Sequence, residues 1–190
     1  MERGPSFVGV TNLPATVADE KVLRLDAAGV RAVRFNLYRG GSTELADFER
    51  LARRVYELAG WHAELYVDSK DLAELEGRLA ALPGRVSVDH LGMTREGYPA
   101  LLRLVEGGMK VKATGFGRVN LDVAGALREI ADVDPGALLF GSDLPGTRAE
   151  RPFEEADVEL IAEVLGVEQA GRVLHDNAAS WYARDGKGRG

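Results

Sequence analysis

The sequence contains no cysteine. That excludes a disulfide scaffold, a thiolate metal site and a cysteine nucleophile, and it fits a reducing compartment. No run of about 18 apolar residues occurs, so no bilayer-spanning helix is expected, and Met1-Glu2-Arg3-Gly4-Pro5 lacks the character of a signal peptide. Basic residues are in deficit: 24 Lys and Arg face 30 Asp and Glu, for a net charge of −6 and a pI near 5.2. Nucleic acids and anionic membranes are bound by basic faces, so neither is an expected partner. Histidine is scarce as well, with three in the chain. No His-x-His, His-Glu-x-x-His or Gly-x-Ser-x-Gly is present, which argues against a zinc site built by this chain alone and against a serine nucleophile elbow. What remains is 190 residues, 45% of them hydrophobic, which suits one soluble domain, expected in the cytoplasm.

Six short apolar runs alternate with helical patterns. The runs are Phe7–Val10, Ala32–Phe35, Ala63–Val67, Val86–Val88, Met109–Lys112 and Ala137–Phe140, each of a length and composition that suits a buried parallel strand. Between them, stripes such as Leu45, Phe48, Leu51, Val55 and Leu58, or Leu72, Leu75, Leu79 and Leu82, repeat at helical spacing. Two shorter stripes lie at 101–105 and 123–130. After the sixth run, Val158, Ile161, Ala162 and Leu165 precede a short helix at 167–174 and a terminal turn to Tyr182. Helices are expected to start near Asp19, Thr43, Asp71 and Asp122, where a short polar side chain can cap free N–H groups. Gly29, Gly60, Gly84 and Gly108 sit where left-handed C-caps are wanted. Residues 1–183 therefore read as one βα-repeat domain, and 184–190 as a frayed tail.

Repeated βα units build either an open doubly wound sheet or a closed barrel. The doubly wound form needs a phosphate-binding glycine loop after its first strand, and Pro14-Ala15-Thr16 follows instead. Gly115-Phe116-Gly117-Arg118 is the nearest fragment, but it follows the fifth run and lacks the third glycine. A TIM-barrel-like α/β fold is the expectation.

In such barrels the chemistry sits at the C-terminal ends of the strands. Thr11 and Asn12 fall there after the first run; Arg34, Asn36 and Arg39 after the second; Tyr66 and Asp68 after the third. The fourth offers Asp89 and His90, the fifth Lys112 and Thr114, and the sixth Ser142 and Asp143, with Arg148 a little later. The strand interiors, by contrast, read as almost wholly apolar. This convergence points to a pocket for an anionic substrate with an acid–base pair. Plainer readings exist for each residue: Asp143 as a cap, His90 as a satisfied core histidine, Arg34 in a structural ion pair, Tyr66 as bore filling. His62 and His175 read as structural.

The segments Gly29-Val-Arg-Ala-Val-Arg-Phe-Asn36, Trp61-His-Ala-Glu-Leu-Tyr66, Val88-Asp-His-Leu-Gly92, Val111-Lys-Ala-Thr-Gly115 and Leu139-Phe-Gly-Ser-Asp-Leu-Pro145, closing with Asn177-Ala178, resemble the amidohydrolase-related family. This branch of the amidohydrolase superfamily, the metal-dependent hydrolases, includes 2-pyrone-4,6-dicarboxylate lactonase-like TIM-barrel enzymes and decarboxylases. The resemblance implies an eight-stranded barrel of which this chain holds about six strands, the equivalents of the third to the eighth. It implies Asp143 as general base on water and His90 as the group that polarises the carbonyl. Arg34, Asn36, Arg39, Tyr66, Lys112 and Arg148 become substrate-binding candidates, with arginine forks apt for carboxylates. Tyr66 stands where metal-dependent relatives tend to carry histidine, so no cofactor is expected, unless absent N-terminal ligands supply a divalent ion such as zinc. The implied activity is hydrolysis of a small carboxylated lactone or ester. Two alternatives stay open: a non-catalytic truncated remnant that binds small carboxylates, suggested by the missing His-x-His, and a decarboxylase of the same family. Two open sheet edges predict either a homo-oligomer that covers them or a true start upstream of Met1.

Overall fold

The computed structural model describes residues 7–37, 45–83, 85–146 and 149–183. The expected flexible tail at 184–190, the proposed cap Thr43 and the glycine Gly84 lie outside the described residues, as do Arg39 and Arg148.

Six strands, β1 (Gly9–Thr11), β2 (Val30–Asn36), β3 (His62–Tyr66), β4 (Val86–Val88), β5 (Lys110–Ala113) and β6 (Leu138–Phe140), pair in sequence order into one curled, all-parallel sheet. Helices α1 (Asp19–Ala27), α2 (Leu45–Ala59), α3 (Leu72–Ala80), α4 (Tyr98–Glu106), α5 (Val123–Val133) and α6 (Glu155–Leu165) follow the successive strands. This is the partial-barrel architecture that the alternation of runs and stripes predicts. The chain closes with α7 (Val167–Gly171), a π turn over Arg172–Asp176, and α8 (Asn177–Tyr182).

Local signals behave as their chemistry dictates in part. Gly29, Gly60 and Gly108 take the left-handed conformation expected at helix ends. Asp122 caps α5, its carboxylate accepting from the Ala124 N–H at 3.1 Å. Two other caps are corrected. Ala18, not Asp19, occupies the N-cap of α1, and the Asp19 carboxylate pairs instead with Arg54 on α2. Asp71 does hold the N-cap of α3, but its side chain makes no capping bond.

The core lies on the outer face of the sheet, between strands and helices. Val33, Phe35, Ala63, Leu65, Val86, Val88, Val111 and Leu138 point into it and are buried. Strand register places their neighbours on the inner, concave face: Arg34 beside Glu64, Glu64 beside Ser87, Ser87 beside Lys110, and Asn36 beside Tyr66. The expectation of almost wholly apolar strand interiors is therefore corrected. Polar and apolar residues alternate from Val33 to Asn36 in β2 and throughout β3 to β5, and the bore of this partial barrel is charged. Its carboxylates are nonetheless out of water, Glu64 and Asp89 being at most 2% exposed, and Ser87 is buried with them.

The terminal helix closes the bore near the strand starts. Trp181 Nε1 donates to His62 Nε2 at 2.9 Å, Tyr182 Oη donates to Glu64 Oε1 at 2.6 Å, and Asn177 Nδ2 donates to the Leu138 carbonyl at 2.9 Å. Arg85, just before β4, lies over the Trp181 ring at 4.7 Å.

Candidate active site

At the opposite end, the exit loops of β4, β5 and β6 are tied to one another. Asn120 N–H donates to the Met93 carbonyl at 2.8 Å, and Glu150 N–H donates to the Gly117 carbonyl at 3.1 Å. The loop after β4 is conformationally costly: His90, Leu91, Gly92 and Met93 all have positive φ, between 50° and 77°. Its surroundings hold it there. Tyr98 Oη donates to the Leu91 carbonyl at 2.9 Å, and Thr94 Oγ1 donates to Asp68 Oδ1 at 2.5 Å. Ser69 Oγ donates to the Thr94 carbonyl, also at 2.5 Å. Asp68, placed among the polar strand exits by sequence, is thus a buried brace for the loop that carries His90.

His90 sits at the centre of this mouth. Its Nδ1 is 2.9 Å from Thr114 Oγ1, and Tyr66 meets its ring edge to face at 5.6 Å. Burial pushes its pKa below the ordinary histidine value, against the opposing pull of the Asp89 and Asp143 carboxylates; Arg118 adds to the lowering. At neutral pH the imidazole is therefore uncharged. Gly115 covers it from above. A Cβ there would lie 2.7 Å from His90 Nδ1 and 3.0 Å from Arg118 Cδ, and φ is +59°, so only glycine fits without displacing both side chains. The glycines of the Gly115–Arg118 fragment thus serve close packing: a Cβ at Gly117 would meet the Arg151 carbonyl at 2.2 Å.

Asp143 also adopts the left-handed conformation, with φ of 55°. Its Oδ2 accepts from Arg118 Nε, a pair in which both side chains are less than a quarter exposed. Sequence reasoning missed Arg118, which follows β5 by a few residues. The signal was available as the only cation in the loop that opens with Gly115.

The second cation group lies on β2 and β5. Arg34 Nη2 is 2.5 Å from Asp89 Oδ2, and its guanidinium lies 5.6 Å from the Tyr66 ring centre. Lys112 Nζ pairs with Glu64 Oε2 and lies 3.4 Å from Asp89 Oδ1. The Lys112 charge is thus engaged inside the bore. Burial alone would raise the Glu64 pKa, but His62, Lys112 and Tyr182 outweigh it and hold the carboxyl at about 2. His62 Nε2 lies 3.3 Å from Glu64 Oε1. The same nitrogen lies 2.9 Å from the Trp181 indole nitrogen, and burial holds the His62 pKa below its ordinary value.

The structure therefore gathers Arg34, Tyr66, His90, Lys112 and Asp143 around one end of the sheet. Asn36 ends β2 on the same face and is exposed. His175 lies outside this group, exposed and paired with Asp176. Among the described residues no group of three or more His, Cys, Asp or Glu side chains could hold a metal ion. The Asp143 carboxylate is turned to Arg118. The donor set among the described residues does not fit a metal.

The family model described as Amidohydrolase matches residues 2–184. A 2-pyrone-4,6-dicarboxylate hydrolase of Comamonas testosteroni is 29% identical over 206 residues, covering 92% of this chain and 66% of that protein. A protein named cobyric acid synthase from Mycobacterium tuberculosis (strain ATCC 25618 / H37Rv) is 39% identical over 196 residues, covering 93% of this chain but 36% of its own length. The chain thus spans less than two thirds of the length of either relative. Among solved structures, a probable 2-pyrone-4,6-dicarboxylic acid hydrolase of Acinetobacter baumannii with citric acid bound has the same fold. Its TM-score is 0.75 at 22% identity, over 92% of this chain and 72% of that one.

Proposed function

The chain belongs to the amidohydrolase family, and from that premise we propose that it hydrolyses a small lactone or ester that carries carboxylates. The observation that carries this reading is the grouping of Asp143, Arg118 and a neutral His90 at one mouth. Comamonas testosteroni supplies the example of a relative named for a dicarboxylate. The cobyric acid synthase name is not carried over, because the match spans 36% of that protein.

The proposed chemistry needs three roles. Asp143 takes a proton from water as the oxygen adds to the ester carbonyl. His90 donates to the oxyanion that forms. If the Thr114 hydroxyl donates to Nδ1, the ring proton resides on Nε2 and faces away from Thr114. Collapse of the tetrahedral adduct breaks the ring C–O bond, and the leaving oxygen recovers the proton from Asp143. No metal and no covalent intermediate enters this sequence.

Arg118 gives the site a means of selection. Without substrate its guanidinium holds the Asp143 carboxylate. A substrate carboxylate that takes over Arg118 frees Asp143 to act as base, so a ligand without that carboxylate leaves the base masked. Arg34 grips a second carboxylate from the other side of Tyr66. Replacing Arg118 by Gln is expected to raise KM for 2-pyrone-4,6-dicarboxylate by roughly 10- to 100-fold, the range of a lost charge-assisted hydrogen bond. The measurement is the initial rate of absorbance loss against substrate concentration. An unchanged KM contradicts the role of Arg118.

A further inference from the structure

We infer that Tyr182 and Glu64 are positioning residues for Arg34, so that the terminal helix α8 sets the guanidinium that faces the mouth. The relay runs along the concave face. Tyr182 Oη donates to Glu64 Oε1 at 2.6 Å. Glu64 Oε2 pairs with Lys112 Nζ, which also lies 3.4 Å from Asp89 Oδ1. Asp89 Oδ2 then holds Arg34 Nη2 at 2.5 Å. Glu64 and Asp89 are buried, whereas the Arg34 side chain is 38% exposed, so the relay leads from the closed end of the bore to its open one.

Lys112 is the shared element, because one ammonium serves two carboxylates at unequal distance. While Tyr182 donates to Glu64, that carboxylate has a second donor and leaves Lys112 within reach of Asp89. Without the hydroxyl, Glu64 Oε1 loses a donor, Lys112 shifts to serve both Glu64 oxygens, the contact to Asp89 lengthens, and Arg34 becomes the only cation on Asp89. Its guanidinium is then pulled inward, away from a ligand at the mouth. Buried polar groups couple in this way because a low dielectric strengthens each interaction and penalises each unpaired group. Tyr182 feels both ends of the relay: burial raises its pKa first, Glu64 and Asp89 raise it further, and Arg34 opposes them.

The inference rests on the proposed grip of Arg34 on carboxylates, and the experiment separates the two. Citrate serves as a non-hydrolysed probe in calorimetry, and the Arg34 guanidinium signal in an NMR spectrum, assigned by its loss in Arg34→Gln, serves as a readout without ligand. Tyr182→Phe is expected to shift or broaden the Arg34 signal and to weaken citrate about five- to tenfold, the size of one lost hydrogen bond. Glu64→Gln should move the same signal. In an Arg34→Gln background, Tyr182→Phe should cost citrate affinity nothing more. An unmoved Arg34 signal in Tyr182→Phe overturns the relay, as does an additive loss in the double variant. If Arg34→Gln alone leaves citrate affinity unchanged, the carboxylate grip fails, while the NMR signal still decides whether α8 positions Arg34.

Discussion

Replacing Asp143 by Asn is expected to lower kcat for hydrolysis of 2-pyrone-4,6-dicarboxylate by about 10²–10⁴-fold, the usual contribution of a positioned general base. The fold should survive, and the reason lies in the backbone. Asp143 has φ of 55°, and asparagine is the residue other than glycine that tolerates this left-handed region best. The amide oxygen of the substituted side chain would still be able to accept from Arg118, so the mouth keeps its shape while losing its basic oxygen. The expected signature is a fall in kcat with thermal midpoint close to that of the parent. A turnover within about threefold of the parent sinks the assignment of Asp143 as base.

The second large effect is on stability. Lys112→Met removes the ammonium that neutralises Glu64, a carboxylate 1% exposed, and leaves an uncompensated charge in the bore. Breaking one side of such a pair typically costs about 3–5 kcal/mol, a large part of the stability of a domain. The pH dependence gives an independent reading of the same interaction. The Glu64 pKa lies at about 2 in the folded protein against 4.5 for an ordinary glutamate. The stabilisation this represents is fully present above pH 4.5 and is lost as pH falls from 4.5 through about 2. The buried histidines act at higher pH: their lowered pKa values mean that the unfolded chain takes up protons first, so stability also falls as pH drops through 6.5. In Lys112→Met the acid loss that begins at pH 4.5 should shrink, because the folded carboxyl no longer resists protonation. Pairing Glu64→Gln with Lys112→Met should recover much of the lost stability, since both charges then leave together. Urea midpoints across the range from neutral pH down to mild acid compare the parent with both variants. A Lys112→Met protein as stable as the parent contradicts the buried network.

How much of this was legible follows from what periodicity carries. All six strands lie within a residue or two of the apolar runs, and the stripe that begins at Leu45 coincides with α2. Hydrophobic pattern reports burial against helices, and the outer face of the sheet is where that burial occurs. The inner face was legible too, in His62-Ala-Glu64-Leu-Tyr66 and Lys110-Val-Lys112-Ala-Thr114, whose strict alternation marks one polar face. Reading strands as apolar runs hid it, and so Glu64 was missed. Asp143 and His90 were legible as candidates because they closely follow strand ends. Arg118 and Tyr182 were not, because their roles depend on a loop folding back over His90 and on α8 returning to β3, a separation of 118 residues between Tyr182 and Glu64. Sequence spacing carries no trace of such a contact. The left-handed run from His90 to Met93 is equally invisible, since only Gly92 in it advertises a positive φ.

The central claim is that Asp143, His90 and Arg118 form a hydrolytic site for a carboxylated lactone. The most direct test is to incubate the purified chain with 2-pyrone-4,6-dicarboxylate in the presence of a metal chelator and follow the ring chromophore. The account predicts loss of absorbance with saturation kinetics, abolished in Asp143→Asn. Binding of the same compound by calorimetry with no turnover would contradict it, and would favour a carboxylate-binding protein instead.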